Sequence, residues 1–189
     1  MILDNFLSNE DYLIVKDYVL GPKPYWYYGE NISLGNSDHG ITDTMAQDTW
    51  GFNRDIFNSE IEYGDSEALG FMVPVMKRII ELNGPETKFK RIRFGMKCFK
   101  HGFKEGNYNL PHIDYHYPHK TLILYMNETD GDTYVFNEHY AGQDLHSFTI
   151  QERINPVENR AVILDGFHYH TASNPLYHDT RVVINVNYV

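Results

Sequence analysis

The chain has 189 residues, 42% of them hydrophobic and 15% aromatic, so it has ample material for a folded core and is not a disordered segment. Its length suits one domain, 1–189, that buries roughly 70% of the surface exposed by the unfolded chain. One cysteine, Cys98, excludes an internal disulfide and any zinc site needing two thiolates, and a net charge of -10 argues against duplex nucleic acid as the default partner. The first residues, Met1-Ile2-Leu3-Asp4-Asn5, lack the basic and apolar pattern of a signal peptide, and no run of about 18 apolar residues occurs. A cytoplasmic protein without a membrane segment is the expectation, as a monomer or small homo-oligomer.

In chain order, the first expected element is a helix from Asn9 to Leu20, capped by Ser8 and stopped by Gly21-Pro22, with Leu13, Ile14 and Val19 inward. Residues 23–64 read as irregular structure with short strands, a run long enough to serve as a lid. A second helix is expected over 66–82. Its apolar residues Leu69, Met72, Val73, Met76, Ile79 and Ile80 recur at helical spacing, and Pro74 inside it suggests a kink or a later start. From Lys88 the pattern has period two. Strands are expected at 89–100, 120–126, 132–137, 146–153, 160–165, 168–172 and 181–188. Short strands with short connections predict a mainly β (α+β) fold, a jelly-roll barrel over 88–189 buttressed by helices and a lid from 1–87.

The chemistry concentrates in the second half. In Asn109-Leu110-Pro111-His112-Ile113-Asp114, residues i and i+2 of a strand share a face, so His112 and Asp114 can offer nitrogen and oxygen to one metal ion. Downstream, Phe167-His168-Tyr169-His170 supplies a further imidazole. Two histidines and one carboxylate leave positions open on an octahedral metal, which suits non-haem Fe(II). Arg181 opens the last expected strand. A guanidinium inside a barrel needs an anionic partner, and a ligand carboxylate would serve; an exposed strand-end arginine is the plain alternative. Tyr125 could add its phenol. Arg181, Val183, Asn185 and Asn187 share one face, which places Asn185 and Asn187 inside the barrel. The stretch 88–104 holds seven of the sixteen basic residues. The plain reading is a solvated strand face; the alternative is a guide for an acidic substrate or nucleic acid.

Four segments in this order resemble the Fe(II)/2-oxoglutarate-dependent dioxygenases, prolyl 4-hydroxylase-like branch, over roughly residues 90–188. They are His112-Ile113-Asp114; Leu124-Tyr125-Met126-Asn127; Asp130-Gly131-Asp132-Thr133-Tyr134-Val135-Phe136; and Asn159-Arg160 through Gly166, followed by His170 and Arg181. Two departures stand out: Gly131 alone represents the family's glycine pair, and Asn159 replaces a glycine, a mild change because Asn tolerates a left-handed turn. The resemblance implies a double-stranded β-helix that binds Fe(II) through His112, Asp114 and His170. It implies 2-oxoglutarate and O2 as co-substrates, with ascorbate as an accessory. Arg181 and Tyr125 would hold the far carboxylate of 2-oxoglutarate, and Thr133 and Asn187 would line its pocket. The implied reaction releases succinate and CO2 and hydroxylates a C–H bond. Expected substrates are a prolyl residue in a peptide or protein, or a small molecule such as a free amino acid; nucleic acid is not the expected partner. Three alternatives stay open: a cupin-like metal enzyme that uses no keto acid, a nucleic-acid demethylase of the same superfamily, and a non-catalytic barrel. His168 rivals His170 as the distal ligand, and His170 is favoured by its place in the motif.

Overall fold

The computed structural model describes residues 1–30, 44–142 and 145–189. Part of the expected lid, 31–43, lies outside the described residues. The elements run β1 (Ile2–Leu3), α1 (Asn9–Val19), β2 (Tyr27–Gly29), β3 (Gly51–Asn58), β4 (Tyr63–Gly64) and α2 (Ser66–Asn83), then β5 (Phe89–Cys98), β6 (Lys120–Tyr125), β7 (Thr133–His139), β8 (Ile150–Ile154), β9 (Ala161–Asp165), β10 (His168–Ala172) and β11 (Thr180–Tyr188). One large sheet has the order β1-β9-β6-β11-β5-β3-β2, with β4 beside β3; a smaller sheet has the order β10-β7-β8. The ladders between these strands are all antiparallel. From β6 onward the chain crosses between the sheets at β6–β7, β8–β9, β9–β10 and β10–β11, the jelly-roll arrangement expected, and the sheets pack face to face without closing edge to edge.

Period-two alternation decides what each face of the large sheet does. Ile92 and Phe94 on β5, Leu122 and Leu124 on β6, and Val182, Ile184 and Val186 on β11 are fully or nearly fully buried in one cluster with Val15, Val19, Met72, Val75 and Ile79 of the helices. Ile123, Tyr125 and Val183 point the other way and pack with Val135 and Ile154 of the small sheet. The helices thus cover one face, and the cavity between the sheets is left to the other.

Ser8 caps α1 by accepting from the Asp11 N–H, and a Cβ at Gly21 would fall 2.3 Å from the Asp17 carbonyl, so the expected cap and stop both hold. Of the expected inward face, Val19 holds and Leu13 and Ile14 do not. Leu13 and Ile14 are 55% and 46% exposed, while Tyr12, Val15, Tyr18 and Val19 are buried. Two tyrosines took the face: Tyr12 donates to the Met126 carbonyl at 2.9 Å, and Tyr18 stacks on Phe71 at 4.2 Å. In α2, Val73 is turned outward and Val75 inward, and the helix starts at Ser66 despite Pro74. The residue four before the proline, whose carbonyl its ring would crowd, is Gly70, with open space around it. The strand expected at 146–153 begins only at Ile150. Within the irregular run, Gly51–Asn58 is a full strand of the large sheet, hidden from period two by a bulge between Asp55 and Phe57.

Candidate metal centre and anion site

His112 lies outside the named strands, yet it pairs with His170 of β10. Each backbone N–H donates to the other's carbonyl at 3.0 Å, which brings the two rings to 4.9 Å between centroids. Asp114, two residues on, turns to the same side. One ligand atom from each of His112, Asp114 and His170 lies within 4.8 Å of the others. His168 does not join them: a register shift separates it from His170, and its ring sits 3.5 Å from that of His139.

The donor set fits a divalent metal. His112 Nδ1 meets the Leu110 carbonyl and His170 Nδ1 meets the His168 carbonyl, both at 3.1 Å. A carbonyl accepts only, so each Nδ1 carries a proton, which leaves Nε2 as the ligand atom. Burial, reinforced by His170, pushes the His112 imidazole down to about 4, so it is neutral at pH 7. Burial works against ionisation of Asp114, but Arg91 and the two histidines outweigh it and hold the carboxyl well below the usual range.

Asp114 is held from three sides. Arg91 Nη2 donates to Oδ1 at 2.6 Å, while Thr121 Oγ1 and Asn187 Nδ2 donate to Oδ2 at 2.9 and 2.8 Å. Asn187 therefore does face inward as expected, but it reaches the carboxylate of the metal cluster. Sequence reasoning missed Arg91 and Thr121. The signal that finds Arg91 is alternation: Ile92 and Phe94 face the helices, so Arg91, Arg93, Gly95 and Lys97 face the cavity.

The other expected group assembles around Arg181. Its Nε donates to the Gly131 carbonyl at 2.7 Å and its Nη2 to Thr133 Oγ1 at 2.8 Å. Tyr125 Oη lies 2.6 Å from the same Thr133 hydroxyl, and the guanidinium sits 5.4 Å from the Tyr125 ring centroid. Arg181 is 4% exposed, and no carboxylate pairs with it among the described residues. Burial pulls its guanidinium below the usual arginine value, opposed by Tyr125 and Asp132. Gly131 is required here: a Cβ would fall 2.8 Å from Arg181 Cδ and 2.9 Å from the Ser173 carbonyl. Asp130, where the family has its first glycine, accepts from the Leu176 and Tyr177 N–H groups and from His178. Asn159 adopts φ 58° and bonds both backbone groups of Leu7.

A cavity of about 140 Å³ joins the two groups, with His112, Asp114, His170, Arg181, Asn185 and Lys97 in its wall. Lys97 stands opposite Arg181 in the β5–β11 register and donates to Thr49 Oγ1 and Asn109 Oδ1 at 3.0 Å. Burial pushes its ammonium down to about 7. The basic segment is thus not simply a solvated face.

No family model matches the chain, and no curated protein does. Solved structures do. The epimerase SnoN from nogalamycin biosynthesis, in complex with Fe3+, alpha ketoglutarate and a nogalamycin compound, is 11% identical with a TM-score of 0.61, over 100% of this chain and 78% of that one. An oxidoreductase of the 2OG-Fe(II) oxygenase family from Burkholderia pseudomallei is 11% identical with a TM-score of 0.57, over 93% and 78%. A Pseudomonas putida prolyl-4-hydroxylase is 12% identical with a TM-score of 0.53, over 100% and 91%. Identities this low establish shape, and in shape the chain has the double-stranded β-helix fold of the 2OG-Fe(II) oxygenases.

Proposed function

We propose that this protein is an Fe(II)- and 2-oxoglutarate-dependent oxygenase that hydroxylates a prolyl residue in a peptide or protein, or a free amino acid. The observation that carries the enzyme class is the meeting, in one cavity, of the His112–Asp114–His170 cluster with a buried Arg181 that has no carboxylate partner among the described residues. The two histidines offer Nε2 and Asp114 offers an oxygen, a nitrogen-and-oxygen set suited to Fe(II). Iron, 2-oxoglutarate and O2 together supply oxidation of a C–H bond with release of succinate and CO2. The chain's own residues hold and orient. Arg181 anchors the far carboxylate of the keto acid, with Thr133 and Tyr125 completing the cradle. The likeness to the Pseudomonas putida prolyl-4-hydroxylase, most of whose length this chain spans, supports the prolyl reading.

The test has two stages. Anaerobic Fe(II) with 2-oxoglutarate should give a weak visible charge-transfer band, and the inert analogue N-oxalylglycine should raise the melting temperature. Absence of both effects would remove the enzyme class. Succinate release is then screened over proline-containing peptides, free amino acids and nucleosides; release with nucleosides alone would overturn the prolyl reading.

A further inference from the structure

Arg91, Asn187 and Thr121 form one transverse row of the large sheet. Asn187 of β11 pairs with Arg91 of β5 on one side and with Thr121 of β6 on the other. Each of the three adjacent strands sends one donor to the same carboxylate, Asp114. Arg91 alone brings a full charge. The side chains of Arg91 and Asp114 are 13% and 7% exposed, so solvent screens their interaction little. The guanidinium also lies 5.4 Å from the Tyr115 ring centroid.

Two other atoms of the row are buried and have no hydrogen-bond partner among the described residues, Arg91 Nε and Asn187 Oδ1. Leaving such groups unsatisfied is costly. An ion pair selected for stability alone would satisfy its remaining groups. Here the donors converge on one carboxylate, Asn187 Nδ2 also donating to Thr121 Oγ1 at 3.0 Å, while Arg91 Nε and Asn187 Oδ1 stay unpartnered among the described residues.

We propose that Arg91 is a positioning residue that, with Asn187 and Thr121, fixes the Asp114 carboxylate and biases the bound iron toward Fe(II) over Fe(III). This inference rests on the function proposed above. The physical cause is Coulombic. A cation on Oδ1 draws negative charge away from the metal, and the loss is felt more by a trivalent ion than by a divalent one. The geometric part is shared by all three donors; the charge belongs to Arg91.

The test measures the one-electron midpoint potential of the iron-loaded full chain by anaerobic spectroelectrochemistry, in wild type, Arg91→Gln and Arg91→Lys. Arg91→Gln should shift the ratio of Fe(III) to Fe(II) affinity at least tenfold toward Fe(III), a fall of 59 mV for one electron. Arg91→Lys keeps the charge and should return the ratio to within threefold of wild type. A folded, iron-loaded Arg91→Gln with the wild-type potential overturns the proposal, and so does an Arg91→Lys that behaves like Arg91→Gln. Should Arg91→Gln fail to fold or to hold iron, Thr121→Val decides. It removes the hydroxyl dipole that donates to Asp114 Oδ2, and with it the acceptor of the second Asn187 Nδ2 bond; the lost partial positive charge should shift the ratio in the same direction by about twofold, and no shift overturns the proposal. A wild-type chain that binds no Fe(II) would instead sink the underlying function, so the two failures are distinct.

Discussion

At the Asp114 end of the cavity a buried carboxylate meets one guanidinium and two neutral donors; at the Arg181 end a buried guanidinium meets a carbonyl and a hydroxyl. The first end has its charge balanced by the chain itself, and the pocket is arranged before anything binds. The second carries a cation whose described partners are neutral, and an incoming anion completes it. Removing a charge should therefore have opposite effects on stability at the two ends, although it removes binding at both.

The largest effect is expected from Asp114→Ala. It strips Arg91 of its counter-charge inside the sheet and should cost about 3–5 kcal/mol, the usual result of breaking a buried pair from one side. Metal retention should be abolished in the same variant. Denaturant unfolding with metal analysis checks both, and a melt equal to wild type would mean that Arg91 finds another partner.

Arg181→Met is the counterpart at the other end. It replaces a buried cation by an apolar side chain of similar length, which relieves the desolvation penalty of an uncompensated charge at the expense of the bonds to Gly131 and Thr133. The ligand-free protein should melt no lower than wild type. Affinity for N-oxalylglycine in the presence of Mn(II) should fall roughly 100-fold, about 3 kcal/mol, as a charge-assisted pair is lost. A clearly lower melting temperature would show that the bonds to Gly131 and Thr133 already satisfy the guanidinium, and the contrast between the ends would fail.

The comparison also explains which residues could be read in advance. His170, Tyr125, Thr133 and Arg181 are polar groups among apolar strand residues, and His112 and Asp114 flank Ile113 two residues apart; such positions stand out. Arg91 and Lys97 do not, because Lys90, Arg91 and Arg93 crowd one strand, and sequence alone does not say which face the helices cover. Only the packing of Ile92 and Phe94 against α1 and α2 turns the odd-numbered residues toward the cavity. The inward face of α1 was obscured because tyrosine serves both surfaces and cores. In β3 the charged Arg54 takes a buried position and the register shifts between Asp55 and Phe57, so no hydrophobic alternation marks the strand. Arg54 pairs there with Asp65, the cap of α2, a contact between segments that local patterns do not reveal.

The smallest effect concerns Lys97, which lies on the Arg181 side of the contrast. Burial drives its ammonium down to about 7, with Asp48 opposing and Arg181 adding to the fall. It is therefore charged in the folded chain below about pH 7 and neutral above, whereas in the unfolded chain it stays charged to about 10.4. Because the unfolded state holds the extra proton between those values, this group makes stability rise with pH across that window. Anion binding should run the other way. A second cation beside Arg181 is present at pH 6 and gone at pH 8.5, while His112, pushed down to about 4, stays neutral throughout. Wild-type affinity for N-oxalylglycine, measured with Mn(II), should drop about three- to tenfold between pH 6 and pH 8.5, the range expected for one partly screened charge. In Lys97→Met that drop should vanish and the affinity at pH 6 should match the wild-type value at pH 8.5. An equal drop in both proteins would assign the titration to another group and remove Lys97 from the recognition of the ligand's charge.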